Sequence, residues 1–587
     1  MSLRIFYHRY RARATMLLAA ALPAIAAAQQ AQDPRVGLGA GWNDAKEASW
    51  NLDLVAHRAR PEGWFNADNP GDFGFVNADL AFRGNLVFQG GFHGFQVWDV
   101  STPSNPTLKT TFVCPGGQGD LSIYKNLLFM SVEETRGRVD CGTQGVTDTV
   151  SAERFRGVRI FDISDLDHPK QIAAVQTCRG SHTHTLVIDP KDPTNLYIYV
   201  AGTSPVRSPK ELAGCSDRSP AEDPNTSLFR IDVIQVPIRT PQNAHVVSNP
   251  RIFADSAGNV AGLWKGGAHG EGTQSTNVTD QCHDITVFEA LGLAAGACSG
   301  NGILLDIHNP SRPKRLAAVS DPNFAYWHSA TFSNDGRKVL FTDEWGGGVA
   351  PRCRASDKPE WGADAIFTLD KGKLTEAGYY KLPAPQTDKE NCVAHNGSLI
   401  PVPGRDIMVQ AWYQGGVSVF DFSDPAHPKE IAFFDRGPMD STKLVLSGYW
   451  SAYWYNGRIY GSEIGRGLDV FDLKPSEFLT QNEIDAAKAV KLDTFNPQNQ
   501  PKIIWPASFS VVRAYLDQLV RGNGLSSDIT TRIGRDLDAA EKMTGDRQKR
   551  ALTQLGTEMV RYANGSADPN RVRAMASATR DLVRAAR

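Results

Sequence analysis

One strand-like signature recurs along this chain and limits its fold more than any other feature. The clearest copy occupies residues 395–434: His395-Asn-Gly-Ser-Leu-Ile, Asp406-Ile-Met-Val-Gln-Ala-Trp, Gly416-Val-Ser-Val-Phe-Asp421 and Pro428-Lys-Glu-Ile-Ala-Phe-Phe. These read as four short strands. The third alternates apolar residues and stops at Asp421, with Pro425 just beyond; proline has no N–H to give a ladder, so it ends the strand. The same third-strand pattern returns at Asp99, Asp162, Asp306, Asp370 and Asp472, and less regularly at Asp232. Pro169-Lys, Pro313-Lys and Pro428-Lys open the strand that follows several of them. One such sheet cannot bury both its faces, but copies packed around an axis can. Seven copies predict an all-β fold, a seven-bladed β-propeller over residues 37–475. The copies are roughly 40 to 100 residues apart, so some units carry long loops.

The pattern apolar-x-apolar-Phe-Asp-Ile-Ser-Asp/Asn-Pro-x-x-Pro, as at Phe161-Asp162-Ile-Ser and Phe420-Asp421-Phe-Ser-Asp-Pro, resembles the LVIVD-repeat family of secreted bacterial β-propellers over about residues 75–475. The resemblance implies the fold and export. It implies no particular activity, because the family has no common one.

The seventh copy lacks a fourth strand after Asp472, while Trp50-Asn-Leu-Asp-Leu-Val-Ala-His-Arg-Ala-Arg-Pro61 looks like one. Residues 51–58 are therefore expected to complete the last unit and remove its open edge. Beyond Pro475 the pattern turns helical. Residues 476–506 read as a helix capped by Ser476, then a linker rich in Asn, Gln and Pro. Residues 507–587 read as an α-helical bundle, with Val511, Val512, Tyr515, Leu516 and Leu519 on one apolar stripe.

Arg4, Arg9, Arg11 and Arg13 precede an apolar run, Met16 to Ala28, that ends in small residues. Residues 1–28 read as a signal peptide, which places the protein in the periplasm or outside the cell. No later segment is long enough to span a bilayer. The net charge of −2 gives no reason to expect a nucleic-acid partner. The 8 cysteines follow the signal, and none is spaced C-x-x-C, so disulfides are expected and zinc ribbons are not. Pairing neighbours gives Cys114–Cys141, Cys178–Cys215, Cys282–Cys298 and Cys353–Cys392, all in loops at one face.

That face also collects polar residues. Aligned first strands bring together Asp79, Asp120, His184, Asp284, His328, His395 and Ser451, with His182 and His283 beside them. The second strands end there with Glu133 or Glu134, Glu344, Trp412 and Glu463. One reading is that these side chains satisfy backbone groups in the loops entering each sheet. The other is a polar funnel for a small polar ligand or a transition metal, since imidazole with carboxylate suits zinc, copper or iron. In that case His184, Asp284, His328, Glu344 and His395 are the ligands expected. Phe341-Thr-Asp-Glu-Trp-Gly is similar to a segment of the selenium-binding and methanethiol oxidase propellers, which are copper enzymes. Two functions follow: an exported binding module for a protein, surface polymer or small polar ligand, or a metal-dependent oxidoreductase or hydrolase using the same mouth. No Gly-x-Ser-x-Gly or phosphate-cradling loop is present.

Overall fold

β-Branched and aromatic residues alternate along the signature strands, and four of these strands end the same way. Asp99, Asp162, Asp306 and Asp421 accept a hydrogen bond from the backbone N–H two residues on, at 2.8, 2.9, 2.9 and 2.8 Å. These turns stop the third strand and start the loop to the fourth. The computed structural model describes residues 33–586. The signal-peptide reading of residues 1–28 lies outside them.

Among the described residues the long strands form antiparallel four-stranded units whose first strands are Asn77–Arg83, Leu121–Tyr124, His184–Val187, Asp284–Phe288, Trp327–Phe332, Asn396–Ile400 and Tyr449–Tyr455. We call these sheets one to seven. Each first strand contacts that of the next sheet, and the strand of sheet seven contacts that of sheet one. The arrangement is propeller-like, with the first strands around a common axis. Sheets six and seven are also joined by a short parallel pairing, Asn396 with Ser451 and Gly397 with Ala452.

Leu52–Ala59 supplies the outer strand of sheet seven, pairing from Leu52 opposite Leu473 to Ala59 opposite Gly467. The preceding strand, Glu47–Trp50, pairs with Lys429–Arg436 of sheet six. Between the two, Asn51 takes a left-handed conformation (φ 55°) and donates from Nδ2 to the Ile431 carbonyl. One N-terminal segment thus covers two sheet edges. Charge fastens it: buried Asp469 of sheet seven lies 2.6 Å from His57 Nδ1 and 2.9 Å from Arg436 of sheet six.

In sheet three the third strand is Asp232–Pro237. Asp232 opens it, opposite Val200, rather than closing it. The Phe229-Arg-Ile-Asp232 stretch matched the signature in composition, but the ladder begins where that match ends.

The helical tail also differs from the sequence reading in one respect. Its first helix, α1 (Gln481–Ala489), is capped by Thr480, whose side chain accepts from the Glu483 N–H while Glu483 bonds back to Thr480. Ser476, the expected cap, instead accepts from the N–H groups of Phe478 and Leu479 in the turn before the helix. A reciprocal box satisfies two orphan donors where a lone serine satisfies one. Helices α2 (Phe509–Arg521), α3 (Ser527–Glu541), α4 (Gly545–Ala563) and α5 (Pro569–Ala585) share a core that includes Leu516, Leu537, Leu555 and Met575. Glu483 ties this tail to sheet six by accepting from Arg405 (3.0 Å), Gln518 (3.0 Å) and Arg521 (2.6 Å).

Residues 491–506, read as a linker, run beneath the ends of the first strands of all seven sheets. Leu492 bonds Asn456 of sheet seven, and Phe495 pairs with Phe82 of sheet one. The Asn496 amide bonds both backbone groups of Ile123 in sheet two, at 2.8 and 2.9 Å. Asn499 donates to the Leu186 carbonyl of sheet three. Backbone groups of Gln498 and Gln500 bond Val287 of sheet four. The Gln500 amide bonds both backbone groups of Phe332 in sheet five, at 2.9 and 2.7 Å, and Trp505 donates to Pro401 at the end of sheet six. An amide side chain carries the same donor and acceptor as a peptide group. The Asn- and Gln-rich composition is therefore what a floor across the channel needs.

Two expectations follow. Truncation to Pro61 exposes the edges of sheets six and seven, and thermal melting is expected to lose cooperativity. For Asp469, burial pushes the carboxyl up, but Arg436, with His57 and Tyr449, more than reverses this and holds it below the usual range. A depressed carboxylate stabilises above its unfolded value of about 3.9, and that contribution is lost as pH falls through the folded value. Asp469→Asn should cost about 3–5 kcal/mol at neutral pH, and that cost should shrink progressively as the pH of successive denaturant titrations is lowered below the usual carboxylate range.

Candidate functional site

Four imidazoles stand in a row at the mouth opposite the floor. Ring centroids are 4.2 Å apart for His182 and His283, 3.8 Å for His283 and His328, and 4.2 Å for His328 and His395. Tyr413 continues the row at 4.4 Å from His395. The loops entering sheets three and four bring His182 and His283. His328 sits where the register of its strand shifts, between Trp327 and Ala330, and such a bulge re-aims a side chain. His395 immediately precedes the first strand of sheet six.

Oxygen acceptors fix the rings. His182 Nδ1 lies 2.7 Å from Glu133 Oε1, and Glu133 is held in turn by Thr203 at 2.8 Å. His283 Nδ1 lies 3.0 Å from Asp284 Oδ1. His395 Nδ1 meets the Trp450 carbonyl. A carbonyl can only accept, so the His395 proton sits on Nδ1 and the Nε2 lone pair is free. The Nε2 atoms of His182, His328 and His395 are buried without a hydrogen-bond partner. Glu344 faces them: Oε2 is 3.8 Å from His328 Nε2, Oε1 is 3.6 Å from His395 Nε2, and the Tyr413 hydroxyl donates to Oε1 at 2.5 Å. Ligand atoms of His283, His328 and Glu344 all lie within 4.8 Å of one another.

Burial sets the charges. It holds His283 and His328 well below the usual histidine range, and neighbouring imidazoles add to the effect. Burial also brings His395 down to about 3 and Glu344 up to about 7. His182 behaves otherwise: burial lowers it, but Glu133 more than compensates and raises it. Three neutral imidazoles are thus gathered around a buried carboxyl group raised to about 7.

The sequence-selected residues divide into groups. His182, His283, His328, Glu344 and His395 meet at the mouth. Asp284 supports His283 from behind. His184 lies apart: its Nδ1 is 2.8 Å from Ser131 Oγ and 3.5 Å from Asp120 Oδ2. Asp79, Asp120 and Ser451 line the channel with it. Ser451 pairs with Asn396 rather than His395, so the first-strand alignment is shifted by one residue there. Glu463 serves its own loop, accepting from Ser447, Gly448, Gly465 and Arg466. Trp412 packs against Tyr380 between sheets five and six. Its neighbour Tyr413, not singled out from the sequence, reaches Glu344 instead. No strand alternation could have signalled it, because both residues lie past the strand Ile407–Ala411 and Tyr413 takes a left-handed conformation (φ 51°).

The cysteines frame these loops as Cys114–Cys141, Cys178–Cys215, Cys282–Cys298 and Cys353–Cys392. Cys282 directly precedes His283, and Cys392 lies three residues before His395. Replacing both Cys282 and Cys298 by serine should cost about 2–4 kcal/mol and loosen His283, read as a lower melting midpoint together with a changed His283 imidazole NMR signal.

Comparison with known proteins adds the following. No curated protein matches the chain. Solved structures similar to it include a periplasmic gluconolactonase of Pseudomonas aeruginosa (13% identity, 68% of this chain and 96% of that one, TM-score 0.39). Hydrazine synthase of Kuenenia stuttgartiensis is similar over 68% of this chain and 94% of that one, at 11% identity and TM-score 0.39. A Lactobacillus plantarum protein is similar over 61% and 83%, at 11% identity and TM-score 0.38. Residues 78–113, which span sheet one from inner to outer strand, match the LVIVD repeat: the chain carries a repeat of a family associated with β-propeller folds.

Proposed function

We propose that the protein is an exported seven-bladed β-propeller that binds a first-row divalent metal in the mouth of its channel, with His283, His328, His395 and Glu344 as ligands. One observation carries this reading. His395 commits its Nδ1–H to the Trp450 carbonyl and, together with His328, presents an unpartnered buried Nε2 beside the buried Glu344 carboxyl. That is the donor set and the supporting oxygen shell of a borderline metal site. A purely structural histidine would have both nitrogens satisfied. The four disulfides and the basic-then-apolar N-terminus support an oxidising, exported setting.

The binding-module reading and the enzyme reading share this centre. His182 and Glu133 keep 20% and 19% side-chain exposure, whereas His328 and His395 are fully buried. A small ligand therefore approaches on the His182 side. A metal held there supplies a Lewis acid for that ligand, and Tyr413 orients Glu344.

The test uses the full-length chain saturated in turn with zinc, copper and iron salts, then desalted. The wild type should retain one metal per chain, and His328→Ala should lose it with a nearly unchanged far-UV spectrum. A wild type that retains no metal, or a His328→Ala variant that retains all of it, contradicts the proposal.

A further inference from the structure

Between the imidazole row and the floor, the channel holds a second group of polar atoms. Asp79 and Asp284 are 2% exposed and Asp120 is 0% exposed. They act on one another: Asp284 on Asp79, and both on Asp120. Among the described residues, none of the three forms an ion pair with lysine or arginine; Asp120 has His184 beside it, while Asp284 is held by His283 and Thr183 and attracted by His182. His184 brings no charge, because burial holds it near 3.

Part of this acid is satisfied. Asp79 Oδ2 accepts from the Tyr453 hydroxyl at 3.0 Å, Gln498 Nε2 at 3.2 Å and Asn396 Nδ2 at 3.4 Å. Asp120 Oδ2 accepts from the His184 N–H at 3.2 Å. Four buried atoms remain without a hydrogen-bond partner: Asp120 Oδ1, Ser451 Oγ, Gln498 Oε1 and His184 Nε2. Three of the four are oxygens. Gln498 rises from the floor segment, and Ser451 faces Asp79 from sheet seven.

Burying Asp79 and Asp120 on neighbouring first strands with no cation paired to either is costly. We propose that this chamber holds a hard divalent cation, Ca2+, bound by Asp120 with Asp79, Ser451 and Gln498 and retaining part of its water shell. The donors are carboxylate, hydroxyl and amide oxygens, the set that calcium takes and that softer metals leave to imidazole. They come from four separate segments, and calcium tolerates irregular geometry with six to eight oxygens where magnesium demands an octahedron. Four protein groups leave coordination places that water fills. The site does not depend on the metal centre above it.

The experiment strips full-length protein with chelator, loads the upper centre with zinc, and titrates calcium chloride by calorimetry, with thermal midpoints in parallel. The wild type should take up one calcium per chain and melt higher with it. Asp120→Asn should weaken calcium binding by at least about tenfold, because charge count tunes such sites, with zinc content unchanged. His328→Ala should lose zinc and keep calcium. If Asp120→Asn does not fold, Ser451→Ala and Gln498→Leu provide the same reading. No calcium uptake by the wild type at millimolar concentration overturns the proposal, as does unchanged uptake in all the chamber variants. Protonated carboxyls needing no cation would show the first result.

Discussion

Convergence of the first strands on one axis is the constraint from which the rest of the structure follows. A side chain that points inward from any of the seven sheets meets side chains from the others, and water is largely shut out on both ends. Residues 491–506 close one end with backbone-mimicking amides. Cystine-framed loops narrow the other. Polar residues placed in that space must satisfy one another or hold something that satisfies them.

The chain uses both solutions. Asp79 collects three donors from separate segments, and Glu463 is consumed by its own loop. The imidazole row is different. The Nε2 atoms of His182, His328 and His395 have no partner, and Glu344 stands against the last two with a hydroxyl already in place. Packing uncharged imidazoles at ring distances near 4 Å avoids like-charge repulsion while keeping lone pairs directed inward. Closure of the ring makes this spacing reproducible. Were Leu52–Ala59 to leave sheet seven, the Asp469 link between sheets six and seven would open, and with it the neighbourhood of His395 and Trp450.

Much of this was legible in the sequence, for physical reasons. Strand alternation and the Asp turn are local, so the signature could be read at Asp99, Asp162, Asp306 and Asp421. The missing fourth strand after Asp472 and the spare one before Pro61 are a counting argument. Cysteine pairing followed from loops that share a face. What escaped was set by tertiary contact. Nothing local distinguishes a floor made of Asn496, Asn499 and Gln500 from a polar linker. His184 and His283 both sit at the entry to a first strand, yet Ser131 draws one away from the mouth and Asp284 supports the other within it. Tyr413 reaches Glu344 because the chain turns into a left-handed conformation there, just past the strand Ile407–Ala411, which no local pattern announces.

X-ray absorption at the metal edge of zinc-loaded protein tests the central claim most directly. The account predicts a first coordination sphere of imidazole nitrogens and carboxylate oxygen at about 2.0–2.1 Å, with the outer-shell scattering that histidine rings produce and no sulfur. A sphere of oxygens alone, or one that survives unchanged in His328→Ala, would place the metal elsewhere and contradict it.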